Sequence, residues 1–247
     1  MRLRFRFRTV PFVATVVLVA LGILLGNWQV RRAAEKTALQ ARLAQRAAMA
    51  PLVLDGAPLD PATAEYRRVV VTGAFVPDWP LYLGNRPLDG RFGFIVLMPF
   101  RIAGSNKVVL VARGWAPRDP GANDRVPLVA APAGRTTVEG LAVQHPARVM
   151  ALGAETPPRP GAIVQNLDTA AFAKASGMDV LPVLVEQTGA DTGATPAGTA
   201  PLVRKWPAPA VDVDRNRGYA FQWYALAAMA FLFFVMTGFR SGTKQAG

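Results

Sequence analysis

The 247-residue chain contains no cysteine and a single histidine, His145. Without thiols there is no disulfide, thiolate zinc site, iron–sulfur cluster or cysteine nucleophile. One imidazole also excludes any site that needs two from one chain. Charge is scarce, at 18% of residues, and acids are scarcer still: 16 Asp and Glu stand against 28 Lys and Arg, a formal net charge of +12. Mean hydropathy is +0.23 and 51% of residues are hydrophobic. That balance argues against disorder and against an ordinary soluble domain.

Charge is missing altogether from two stretches of 22 residues, Thr9 to Val30 and Gly218 to Phe239. A helix of that length rises roughly 33 Å, about one bilayer hydrocarbon core, so both read as transmembrane helices. A cleaved signal peptide is the alternative for the first, since Arg2, Arg4, Arg6 and Arg8 precede it. Signal cores run about 7–15 residues and end at a small-x-small site. This run is longer and closes on Gly26-Asn27-Trp28-Gln29, so an uncleaved anchor is expected. A buried core helix is the alternative for the second, and its aromatic load (Phe221, Trp223, Tyr224, Phe231, Phe233, Phe234) speaks for the membrane.

Two spans put both termini on one side and the 187 residues from Arg31 to Arg217 on the other. Basic residues near the spans set orientation. Four Arg before the first span, with Arg240 and Lys244 after the second, narrowly outweigh Arg31, Arg32, Lys36, Arg215 and Arg217. The reading is cytoplasmic termini and a periplasmic central domain in a cell inner membrane. All 16 acids lie in the central segment with 22 of the bases, leaving it +6. The tail charges read as contacts to lipid headgroups. No basic run interleaved with aromatics marks a nucleic-acid surface, so nucleic acid is not an expected partner.

The expected organisation is a basic tail (1–8), a first span (9–30), a helical extension (31–50), a linker (51–66), a β-rich domain (67–217), a second span (218–239) and a closing tail (240–247). Trp28 to Met49 has no Gly or Pro and is rich in helix formers, so the first helix continues past the membrane. Pro51, Pro58 and Pro61 mark the linker. Short β-branched or aromatic runs then follow at 68–72, 81–83, 94–98 and 108–111, with turns at Asp89-Gly90 and Gly104-Ser105-Asn106. Further strands are expected at 136–143, 162–165 and 180–187. One helix, 168–176, opens on Asp168 as cap and stops at Gly177. The composition of 189–200 reads as a flexible loop. The fold class is a membrane protein with two transmembrane helices flanking a mainly antiparallel, barrel- or sandwich-like α+β domain.

No phosphate loop, dinucleotide fingerprint, G-x-S-x-G or H-E-x-x-H occurs. Asp78, Asp89, Asp119, Asp124 and Asp168 are scattered. Glu139 and Glu186 sit on expected strands and could meet in space, and ordinary surface acids are the simpler reading. His145, before Pro146, reads as a solvated loop residue. Neither a catalytic residue nor a metal site is expected, and the chain does not read as an enzyme.

Several blocks in order resemble the Surfeit locus protein 1 family of cytochrome c oxidase assembly factors. Gly26-Asn27-Trp28-Gln29 with Arg32 and Lys36 is similar to the family's G-x-W-Q-x-x-R-x-x-x-K. Tyr66-Arg67-Arg68-Val69 and Gly73-Ala74-Phe75 follow, then Asn85-Arg86, Gly90, Gly93 and Leu97-Met98-Pro99. Val111-Ala112-Arg113-Gly114-Trp115-Ala116-Pro117 is close to the diagnostic L-V-x-R-G-W-V-P. Gln165-Asn166-Leu167-Asp168, Leu181-Pro182 through Glu186-Gln187, and Gly218-Tyr219-Ala220-Phe221-Gln222-Trp223-Tyr224 complete the set.

The resemblance implies an assembly factor that stabilises the largest oxidase subunit or assists insertion of haem a, with haem a synthase as a further partner. The family's candidate haem-ligating His lies three residues before the Tyr of the second-span motif. That position is Asn216, and a carboxamide is not a usual axial ligand. Three readings stay open. Haem a docks transiently with its iron held elsewhere, by contacts to Tyr219 and Trp223 and with Arg215 or Arg217 on its propionates. Alternatively haem handling is lost and a scaffold role kept, or these residues are only anchors and packing. Arg113 reads as a buried charge fixing its loop or as a rim contact. A tethered scaffold of another envelope complex is the alternative function, and a membrane-anchored hydrolase using the scattered carboxylates the remote one.

Overall fold

In the computed structural model, residues 3–5, 7–119, 121, 125–127, 129–146, 148–149, 156–190, 201–206 and 213–241 are described. Asp124, Lys244 and most of the 189–200 loop lie outside that set. The chain divides into two compact units, 1–42 with 210–247, and 43–209.

The first unit is a helix pair. Helix α1 (Thr9–Ala48) is one unbroken rod of 40 residues, carrying the apolar run and its polar extension without interruption. Ala-, Leu-, Gln- and Arg-rich sequence with no Gly after Gly26 gives it no reason to stop before Pro51. Helix α4 (Val213–Gly238) runs back along it. Both are long and apolar enough to cross a membrane. Their contact is a seam of small residues. Gly22, Gly26, Gln29 and Ala33 are the buried residues of α1, and Ala220 and Ala227 face them from α4. A Cβ on Gly22 would stand 2.8 Å from that of Ala227, and one on Gly26 would enter the Tyr224 ring. Close backbone approach of this kind holds helices together where no hydrophobic effect operates between them. Beyond the helices, β1 (Leu3–Phe5) and β10 (Phe239–Ser241) pair antiparallel, so the two tails meet as a short ribbon.

In the second unit, alternation dictates the strands. Strand β3 (Arg68–Phe75) buries every second residue, as period-2 patterning predicts. By contrast β5 (Arg91–Ile102), β6 (Val108–Pro117) and β9 (Val180–Gln187) read as near-continuous apolar runs because both their faces are covered. With β7 (Thr136–Val143) these strands form a closed barrel in the order β3-β7-β9-β6-β5, and β3 meets β5 again at Gly73↔Ile102 and Phe75↔Phe100. Closure needs Gly73, since a Cβ there would collide with the Arg101 carbonyl. Strands β2 (Leu52–Leu54), β4 (Leu81–Leu88) and β8 (Ile163–Val164) extend the sheet. Within this sheet, among the described residues, five strand pairings are antiparallel, and β2–β3, β4–β8 and β6–β9 are parallel, so the barrel is mixed.

The interior is filled by Val69, Val71, Phe100, Val111, Val138 and Val183 among others. A second apolar layer covers the outer face. There Phe172 of α3 (Thr169–Ser176), fully buried, packs edge-on to Trp79 at 5.6 Å over Leu83, Leu97 and Leu184. Asp168 caps α3 by accepting from Ala171 N–H at 2.6 Å, and Gly177 ends it at φ 70°.

The expected linker 51–66 is not a free spacer. It carries β2 and the short α2 (Pro61–Ala64), and Leu54 and Ala64 are buried in the barrel core. Its apolar residues Leu52 and Leu59 also pack against that core, which proline counting does not foresee. Strand β4 also runs past its expected end at Leu83, because a bulge between Leu83 and Arg86, with Asn85 at φ 55°, turns the chain and lets pairing resume.

Candidate functional site

In the helix pair, the side chain at position 216 has both ends engaged. Lys36 Nζ donates to Asn216 Oδ1 at 2.7 Å, and Asn216 Nδ2 donates to Gln29 Oε1 at 2.6 Å. Gln29 is buried at 8% exposure. Gln29 and Lys36 are seven residues apart, two helical turns, so one face of α1 presents both to α4. In the sequence Lys36 counted as a motif residue and as a basic residue near the span, and that spacing was the available signal for its pairing. Tyr224 adds a bond, donating to Asn27 Oδ1 at 2.7 Å.

The other residues expected near a haem make contacts of their own. Arg215 lies over the Tyr219 ring at 5.7 Å, and Tyr219 is 39% exposed. Arg217 points to Asp214 at 3.5 Å, both exposed. Trp223 is half-buried along an apolar groove of about 770 Å³ between the helices, with Leu21, Leu25 and Met229. Trp28 is half-exposed beside Arg31, Arg32 and Glu35, and Arg32 pairs with Glu35 at 3.0 Å. The fit to a haem iron is poor at position 216. Its oxygen faces an ammonium and its nitrogen a buried amide, and a carboxamide is not among the ordinary axial ligands. The chain's one imidazole, His145, belongs to the barrel unit and is exposed.

In the barrel unit, the motif residues of β4 and β6 share one end. Trp115, 3% exposed, donates its indole N–H to the Arg86 carbonyl at 2.8 Å and covers Gly93. Arg86, 5% exposed, donates from Nη2 to the Gln165 carbonyl at 2.8 Å, and burial pushes its guanidinium below the ordinary value. Asn85 sits at the bulge and accepts from Arg118 at 3.4 Å. Arg113 is 2% exposed, lies over Phe75 at 4.8 Å and donates to the Ala130 carbonyl at 2.8 Å. Through that bond it ties the loop at Ala130 from inside the barrel. Gly114, at φ 150°, passes under the 202–203 segment, where a Cβ would lie 2.8 Å from that of Leu202.

Glu139 and Glu186 do not form a pair. Glu186 is opposite Leu141 on β7, and Glu139 is exposed one pleat further along. Glu186 is half-buried on the outer face near Tyr66, and burial pushes its carboxyl up to about 7. Among the described residues no three His, Cys, Asp or Glu come together.

The SURF1 family model matches residues 16–228. A SURF1-like protein of Monosiga brevicollis is 29% identical over 236 residues, covering 90% of this chain and 85% of that protein. The cytochrome oxidase assembly protein SHY1 of Saccharomyces cerevisiae is 33% identical over 102 residues, 40% of this chain and 26% of its own. Surfeit locus protein 1 of Rattus norvegicus is 33% identical over 108 residues, 38% of this chain and 35% of its own. With the match running from inside the first apolar helix, through the barrel, to the second, the chain belongs to the SURF1 family.

Proposed function

We infer that this chain is an assembly factor for cytochrome oxidase, acting by binding and not by turnover. The observation that supports this best is the match of one family over both apolar helices and the barrel between them, in a family with a yeast relative named for oxidase assembly. The chain sits in a cell inner membrane with both termini cytoplasmic and the barrel periplasmic. Its client is the largest oxidase subunit, held while it matures, with haem a synthase as a neighbour in the same process. Haem a is not ligated through position 216, because Lys36 and Gln29 occupy both functional atoms of Asn216. Of the two roles that the resemblance implies, stabilising the subunit is therefore favoured over handing it haem.

The test is deletion of the gene, followed by oxidase activity and the haem a absorption band of membranes. Loss of activity together with loss of the assembled subunit, restored by the wild-type chain, is expected. Unchanged oxidase with altered envelope behaviour would reject the assembly role.

A further inference from the structure

The apolar groove between α1 and α4 leads into basic and aromatic residues at one end. On α1 it is lined by Leu18, Leu21 and Leu25 among others. Helical spacing carries the same face into the polar extension, because Trp28 and Arg32 lie seven residues, two turns, beyond Leu21 and Leu25. There Trp28, Arg31, Arg32 and Glu35 line a second concavity, of about 330 Å³. Helix α4 repeats the arrangement. Trp223, Leu226 and Ala230 line the groove, and Tyr219 and Arg215 extend the Trp223 row in steps of four. Lys36 and Gln29 both bond Asn216, so the basic ends of the two helices stand at one level.

Size and charge select the occupant. The groove holds about 770 Å³ and runs along α4 from Trp223 to Met236, about 20 Å of helix. That covers the roughly 15 Å of hydrocarbon in one leaflet. A third helix, about 10–12 Å across, would displace roughly twice the groove's volume over that length. Alkyl chains, about 4 Å apart at contact, fit within it. Side chains on α1 lean toward its N-terminus, so Arg31 and Arg32 lean back toward the groove. Among the described residues the Arg31 guanidinium and the Trp28 indole N–H meet no protein acceptor, and Trp28 is 52% exposed. Arg32 is paired with Glu35 at 3.0 Å, which leaves this concavity one net positive charge. A slot one leaflet deep, with spare cationic and indole donors beyond its end, has the shape and charge of a phospholipid site.

We propose that the α1–α4 groove retains one anionic phospholipid, with an acyl chain against Leu21, Leu25 and Trp223 and the phosphate on Arg31 and Arg32. The lipid is a built-in part of the helix pair and covers its open face. The proposal goes beyond the assembly reading and stands whichever client the protein holds.

The full chain is purified in mild detergent, stripped of lipid and titrated with dioleoyl phosphatidylglycerol or dioleoyl phosphatidylcholine while native mass spectra are recorded. One phosphatidylglycerol per chain should be retained at about tenfold lower concentration than phosphatidylcholine. Tm should rise as it binds. Arg31→Gln/Arg32→Gln should abolish the preference between headgroups. Ala230→Phe, which fills the groove, should lower retention of both lipids. Arg42→Gln, an exposed basic residue further along α1, should change neither. Equal uptake of both lipids by wild type, without a one-to-one species, means an annular shell only and overturns the proposal. So does a double variant that keeps the preference, or displacement of the lipid by glycerol phosphate alone. A lipid-independent dimer that excludes the added lipid also overturns it and assigns the groove to a second copy of the chain.

Discussion

Asn216 shows how a side chain's chemistry is set by what faces it. Its carboxamide links Lys36 to Gln29 through its oxygen and its nitrogen. Purified with haem a synthesis co-expressed, the wild-type protein is expected to show weak or no haem absorption, and Asn216→His a gain. Stoichiometric tight haem in wild type would show that Asn216 is not decisive. Glu186 is the second case. Its carboxyl is held near 7 in the folded chain against an ordinary 4.5, so the folded state binds the extra proton. The contribution of Glu186 to stability is therefore greatest below about 4.5 and is lost as pH rises through about 7. Glu186→Gln should flatten this dependence and raise Tm at pH 8; a profile identical to wild type would contradict it. The sequence placed Glu186 on a strand. It did not reveal which strand face the outer layer covers, and that burial is what moves the proton.

Helices and strands here were readable in proportion to how local their causes are. Helix α3 was legible to its ends because Asp168 caps it and Gly177 stops it, both within the segment. Strand β4 was not, because its continuation through Asn85 depends on a bulge against β5. Helix α3 also buries Phe172 completely in the outer layer. Phe172→Ala is expected to destabilise the barrel unit by about 3–5 kcal/mol, read as a lowered Tm. Asp168→Ala should cost about 1 kcal/mol through loss of the cap. In the helix pair, Gly22→Leu puts a branched side chain where a Cβ already meets Ala227 and the Trp223 carbonyl. Phe12 and Phe234, whose rings lie 5.8 Å apart, provide the readout. In a chain free of native thiols, a disulfide between Phe12→Cys and Phe234→Cys should form in the parent and be lost with Gly22→Leu. Retention at full yield would show that the small-residue seam does not hold the pair.

Over the full chain, two apolar helices with a β barrel between them predict an integral membrane protein, and each part has its own test. Carbonate washing of vesicles should leave the chain in the membrane. A single cysteine introduced at exposed Lys174 should react with an impermeant maleimide from the periplasmic side, and one at Arg8 should not. The reverse pattern would invert the orientation proposed here, which rests on a narrow margin of basic residues.

The spans, the strand-rich middle, the α3 caps and the family were written in the chain because each is a local or ordered feature: an uncharged run, a period, a cap, a series of blocks. Barrel closure at Gly73, the parallel β6–β9 pairing and the packing of residues 51–66 into the core were not, because they depend on which distant segments become neighbours. The same holds for function. Lys36 and Asn216 are 180 positions apart, and Arg86 and Gln165 are 79 apart. Hydrogen bonding and burial act through space, so these contacts came into existence when the chain folded.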